Sequence, residues 1–145
     1  MCPVYYLGVD ISPTAVNICR EKFFSDEDKV FITLDEFKKQ PSSADITLSL
    51  DVIYHLINDD IYHDYMERLF SSAAKYCLIY SANIDQVTPS PHVRKRKFST
   101  WVEENAARWE LEEHIPNRYP MTADSDPNNT SFADFYLFKR KLTLT

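Results

Sequence analysis

One glycine, Gly8, stands in a chain of 145 residues. Average usage near 7% would supply about 10. Glycine lets a backbone approach a ligand closely and take positive φ at little cost. A chain with one glycine cannot build G-x-x-x-x-G-K-[ST] or G-x-G-x-x-G, so neither phosphate-cradling loop is present. A nucleotide-type ligand is therefore held some other way, or by a segment that this sequence does not contain.

The remaining composition belongs to a folded protein. Hydrophobic residues make up 44% and charged residues 26%, which separates the chain from disordered sequences. Nine Phe and nine Tyr are enough to fill a core. A length of 145 residues suits one domain spanning 1–145. The net charge of −6 disfavours a nucleic-acid partner that needs a broad basic surface. The apolar runs are too short to cross a bilayer, so no membrane partner is expected. Met1-Cys2-Pro3-Val4 carries no basic stretch, so no secretory signal is read. Cys2, Cys19 and Cys77 are odd in number and form no C-x-x-C, which fits a reduced, cytoplasmic setting.

The hydrophobic pattern alternates between strands and helices. Val4–Val9 is a continuous apolar run, the signature of a strand buried on both faces, and it ends at Asp10. Ser12-Pro13 reads as an N-cap and first helical residue, opening a helix to about Phe24. Strands are expected at Val30–Leu34, Asp45–Leu50 and Tyr76–Tyr80, with Asn58 or Asp59 capping a helix that runs to about Lys75. Residues 82–98 form a loop, and Ser99 caps a further helix. Trp109–Ile115 and Phe132–Phe138 are two last strands with no helix between them. The fold class is therefore α/β, with a mostly parallel sheet and a C-terminal antiparallel hairpin.

In open parallel sheets, ligands bind outside the carboxyl ends of the strands. Three strands end there in acid, at Asp10, Asp35 and Asp51. His55 is a candidate general base, because imidazole titrates near neutrality. Asp59 and His63 lie four apart on one helix face, but no H-E-x-x-H pattern supports a metal, and none is expected. His92-Val93-Arg94-Lys95-Arg96-Lys97 is the one dense basic run, suited either to an anionic substrate or to a solvated loop.

Two segments carry a resemblance: Tyr6-Leu7-Gly8-Val9-Asp10-Ile11-Ser12, and Asp45 through Leu56 with its Leu50-Asp51-Val52-Ile53-Tyr54-His55-Leu56 ending. The pairing resembles class I S-adenosylmethionine-dependent methyltransferases. The resemblance implies a Rossmann-like sheet, S-adenosylmethionine as cofactor, and methyl transfer to a small-molecule or sugar-linked acceptor. It implies that Asp10 holds the ribose and that Ile11 packs on the adenine. Asp35 and Glu36 would then sit near the adenine amino group, and Leu50, Asp51 and Val52 near the methionine end. It places Tyr54, His92 and Arg94 on the acceptor side, with His55 and Asp51 as the groups that would help deprotonate the acceptor.

The resemblance also implies a departure. The family's first strand and its G-x-G-x-G loop belong before Tyr5, so the first βα unit reads as missing and the domain as partial. That unit's strand lies, in the family, between the strands ending at Asp10 and Asp51. Three readings stay open: a truncated version, a gap filled by another segment, or direct closure of the sheet. The alternative function is a non-catalytic, methyltransferase-derived binding or assembly module, its sheet completed by a partner or a second copy.

Overall fold

The computed structural model describes residues 4–142 apart from 123, 125 and 127. Cys2 and part of the 116–130 loop fall outside the described residues. The chain divides between Ser42 and Ser43 into two compact units, where the sequence reads as one domain. Each unit is described by itself.

The first unit is a βαβα run. Strand β1 (Tyr6–Asp10) pairs in parallel with β2 (Lys29–Thr33), and α1 (Pro13–Lys22) connects them. The Ser12 hydroxyl accepts from the Ala15 amide and Pro13 opens the helix, as its sequence predicts. Helix α2 (Leu34–Lys39) corrects the sequence reading, which extends the strand through Leu34 and has no helix before the third strand. The signal lies in Thr33-x-x-Glu36, a capping box. The Thr33 hydroxyl accepts from the Glu36 amide at 3.2 Å, and the Glu36 carboxylate accepts from the Thr33 amide at 2.6 Å. Gly8 pairs with Phe31 across β1 and β2, and a Cβ at Gly8 would lie 2.6 Å from a Phe31 ring carbon. The one glycine thus makes room for an aromatic ring.

The second unit is a four-stranded mixed sheet. Strand β3 (Ala44–Leu50) pairs in parallel with β4 (Ala73–Ser81). Strand β6 (Asp134–Arg140) lies antiparallel between β4 and β5 (Trp109–Ile115), giving the order β3-β4-β6-β5. The α/β class with an antiparallel C-terminal hairpin is borne out, in one parallel and one mixed sheet. Helix α3 (Asp59–Ser71) starts at Asn58, whose side chain accepts from the Ile61 amide. It ends four residues before Lys75, because Ala73–Lys75 already belong to β4. Helix α4 (Phe98–Asn105) begins one residue before Ser99, so Ser99 is not its cap; the Ser99 amide instead donates to Asn83 Oδ1.

Helices α3 and α4 cover one face of this sheet. Met66, Leu69 and Phe70 from α3, and Phe98, Trp101 and Val102 from α4, form one buried cluster with Cys77, Ile79, Trp109 and Phe138. The Thr47 hydroxyl donates to the Leu69 carbonyl at 3.0 Å, and the Tyr65 hydroxyl donates to Ser49 at 2.8 Å. The odd-numbered residues of β3 therefore face α3. Ile46, Leu48 and Leu50 face the other way, since side chains alternate along a strand. Cys77 is fully buried and its thiol is pushed up to about 12 by burial, which keeps it an inert core group.

Candidate functional site

In the first unit, the carboxyl end of β1 presents Asp10. Its Oδ1 accepts from the Ser12 amide at 2.7 Å, which ties the acid to the start of α1. Ile11 beside it is exposed. Asp35 and Glu36 lie in the first turn of α2, where acids are favoured by the helix dipole. The Glu36 carboxylate is held below its ordinary range, first by the Thr33 amide, then by the Thr33 hydroxyl and Arg20. Arg20 Nη2 reaches Glu36 at 3.1–3.2 Å, and its Nε donates to the Phe31 carbonyl at 2.8 Å. Glu36 is thus spent on its own unit, and Asp10 and Asp35 are the acids left at this end.

In the second unit, one row of partners marks the carboxyl end of the parallel strands: Leu50, Tyr80, Phe135 and Ile115. Asp51 follows directly, with φ of 59°, the one non-glycine residue in the left-handed region among the described residues. Such backbone costs about 1–3 kcal/mol outside glycine and is retained where its surroundings fix it. Here the Asp51 amide donates to the Tyr80 carbonyl at 3.1 Å. The chain then turns through a short 3₁₀ segment, Ile53–His55, whose Ile53 anchors in the core. This turn brings Tyr54 back beside Asp51. Burial, and then the nearby Asp51 carboxylate, push the Tyr54 phenol up to about 12.

The basic run meets this turn. The Arg94 amide donates to the Tyr54 carbonyl at 2.8 Å, and His55 Nδ1 lies 3.3 Å from the His92 carbonyl. Tyr54, His55, His92 and Arg94 are therefore brought together. Both arginines are engaged by the protein itself, Arg96 buried and Arg94 half-exposed. Arg94 Nη1 donates to the Ile57 carbonyl at 3.0 Å and pairs with Asp59 at 2.9 Å. Arg96 is buried over the Tyr62 ring and donates to the carbonyls of Leu56 and Ile57 and to Asp59. The arginines strap residues 92–97 onto the turn after β3. Asp59 is consumed by this strap, and His63 Nδ1 accepts from Trp101 Nε1 at 2.7 Å.

Sequence reasoning missed a second group at the same end. Tyr80 donates to Ser131 at 2.7 Å and accepts from Asn117 Nδ2 at 2.8 Å. Asp134 accepts from the Asn117 amide at 2.8 Å and lies 2.9 Å from His114 Nε2. Phe132 meets the Tyr54 ring edge-on at 5.2 Å, with the Lys95 ammonium 4.4 Å from its centroid. These residues come from strand ends and loops far apart in sequence, so no spacing rule reveals them.

A carboxylate on strained backbone, aromatic rings and polar side chains gather at the carboxyl ends of parallel strands, the end at which open sheets bind ligands. The same fold occurs in solved methyltransferases. Magnesium protoporphyrin IX methyltransferase from Synechocystis PCC 6803, with bound SAH, matches at TM-score 0.67 and 15% identity over 94% of this chain and 64% of that one. The N-methyltransferase NodS from Bradyrhizobium japonicum WM9, in complex with S-adenosyl-L-homocysteine, matches at TM-score 0.69 and 14% identity over 94% and 66%. The fold is that of class I S-adenosylmethionine-dependent methyltransferases. TehB from Haemophilus influenzae matches it at TM-score 0.62 and 16% identity, with 95% of this chain covering 50% of that chain. The chain thus spans between half and two thirds of the length of these methyltransferase structures. No family model and no curated protein matches the sequence. Among the described residues, no helix is long and apolar enough to cross a membrane, and no three His, Cys, Asp or Glu side chains gather as a metal site.

Proposed function

We propose that this chain binds S-adenosylmethionine and serves methyl transfer to a small-molecule or sugar-linked acceptor. The observation that carries the reading is Asp51, an acid held in left-handed backbone at the end of β3 in a methyltransferase fold. A chain with one glycine accepts that strain at an aspartate, and the Asp51 amide is tied to the Tyr80 carbonyl there.

The residues fit the cofactor in part. Asp10 offers a strand-end carboxylate for ribose hydroxyls, with Ile11 exposed beside it for an adenine face. Leu50, Asp51 and Val52 offer an apolar wall and a negative charge for the methionine end. Gly8 offers no close backbone approach, because Phe31 fills the space above it. When bound, the cofactor supplies an activated methyl group on a positively charged sulfur. The chain's own work is then positioning, the largest share of such a transfer. Asp51 lends negative charge, Tyr54 and Phe132 shape the acceptor side, and His55, exposed at the rim, takes up a proton from the acceptor.

A second reading is favoured by a different observation: β3 is an edge strand with exposed aliphatic side chains. In that reading the chain is a binding or assembly module completed by another strand. Calorimetric titration with S-adenosylhomocysteine separates the two. Saturable binding supports the cofactor reading. No heat at millimolar ligand, from folded protein, overturns it and leaves the assembly module.

A further inference from the structure

The chain holds seven arginines, and they divide by what their side chains touch. Arg20 is ion-paired with Glu36, and Arg94 and Arg96 with Asp59. Arg118 lies over the Tyr119 ring. The other three, Arg68, Arg108 and Arg140, make no side-chain hydrogen bond, ion pair or ring contact among the described residues. All three line one groove of the second unit, with a volume of about 670 Å³. That volume falls within the roughly 300–1,000 Å³ of small-molecule sites.

The groove opens at the end of the sheet opposite Asp51, where α3 stops at Ser71 and β5 starts at Trp109. Three elements supply its arginines. Arg68 stands in the last turn of α3, Arg108 directly precedes β5, and Arg140 closes β6. Arg140 is the ladder partner of Trp109, so the two side chains share the helix-covered face. Phe70 meets Trp109 edge-on at 5.3 Å and stacks with Trp101 at 6.0 Å, which gives the groove a packed aromatic floor. The carbonyls that an arginine could cap here are taken by other donors. The Ser72 amide donates to the Arg68 carbonyl at 3.0 Å, Asn105 Nδ2 to Trp101 at 2.9 Å, and Lys141 Nζ to Ala107 at 2.9 Å. The three guanidinium groups are thus not spent on the fold.

Guanidinium forks match phosphate oxygens in geometry and charge. Asp64 and Glu67 form the α3 side of the same groove. They would repel a bare anion, but a carboxylate is an acceptor and suits a hydroxyl group. We propose that this groove binds a small phosphomonoester that carries hydroxyl groups. Its phosphate lies on Arg68, Arg108 and Arg140, and its hydroxyls turn toward Asp64 and Glu67.

The site is independent of methyl transfer and is read without S-adenosylmethionine. Trp101 and Trp109 are the chain's two tryptophans and both line the groove, so the indole N–H signals of isotope-labelled protein report on it directly. Inositol monophosphate should shift both signals saturably, about tenfold more tightly than inorganic phosphate, and inositol should shift neither. Arg140→Gln, at an exposed position, should weaken inositol monophosphate binding about tenfold. Arg118→Gln, exposed and outside the groove, should leave binding unchanged. Indole signals unmoved at millimolar inositol monophosphate overturn the proposal, as does an equal loss in the two variants. Inorganic phosphate binding as tightly as inositol monophosphate overturns the role of Asp64 and Glu67. If Arg140→Gln does not fold, Arg108→Gln, also at an exposed position, takes its place in the comparison.

Discussion

Arg96 Nη2 lies 2.9 Å from Asp59 Oδ1, joining a buried side chain of the basic run to the first turn of α3. The same guanidinium holds the Leu56 and Ile57 carbonyls and lies 4.5 Å over the Tyr62 ring. Arg96→Met keeps the apolar bulk and removes every donor. It leaves the Leu56 carbonyl short of a partner and should cost about 2 kcal/mol in urea unfolding. Lys95→Met, on an ammonium that rests on Phe132 and Gln86, should cost well under half as much by the same measurement.

Asp59 itself gives an acid-limb prediction. Arg96 first, and then Arg94, hold its carboxyl below the ordinary aspartate range. A depressed folded value means that the contribution is present above about pH 4, the unfolded value, and is lost as pH falls through the folded value. Stability of the wild-type chain should therefore drop faster below about pH 4 than that of Asp59→Asn. Equal slopes for the two proteins would show that the pair carries no linkage.

Gly8 should resist substitution for reasons of space rather than backbone. Its φ is not positive, so alanine is allowed there by the backbone and even gains from a stiffer unfolded chain. Against that, the new Cβ would lie 2.6 Å from a Phe31 ring carbon, and overpacking of this kind costs about 1–3 kcal/mol. Gly8→Ala should lower the melting temperature, and adding Phe31→Leu should recover most of the loss.

Tyr65 carries an alkaline prediction. Burial pushes its phenol up to about 12, and its hydroxyl donates to the buried Ser49. A raised folded value stabilises the fold fully below the unfolded value near 10 and is lost as pH rises from there through about 12. Tyr65→Phe should cost about 1 kcal/mol at neutral pH through the lost hydrogen bond. It should also flatten the fall in stability measured between pH 10 and pH 12.

Strand and helix identity was legible in the sequence wherever the signal was local. Ser12-Pro13 and Asn58 mark helix starts, and Trp109–Ile115 reads as a strand with the bounds it has in the fold. Helix α2 was hidden because six residues are too few for a helical period, although its Thr33-x-x-Glu36 capping box was readable. The strand-end acids Asp10 and Asp51 were legible as residues. The left-handed backbone of Asp51 was not, since only the deficit of glycine hints that another residue must take such a position. The bonds of Arg94 and Arg96, and the group of Tyr80, Asn117, Ser131 and Asp134, depend on contacts between segments distant in sequence, which no spacing encodes.

The central claim is that the chain binds S-adenosylmethionine, with Leu50–Val52 at its methionine end. Titration of isotope-labelled protein with S-adenosylhomocysteine, followed by amide chemical shifts, tests it most directly. Saturable shifts that include Leu50–Val52 are expected, with Asp51→Asn weakening binding at least tenfold, about 1.4 kcal/mol. Shifts absent at millimolar ligand, or confined to residues elsewhere, would contradict it.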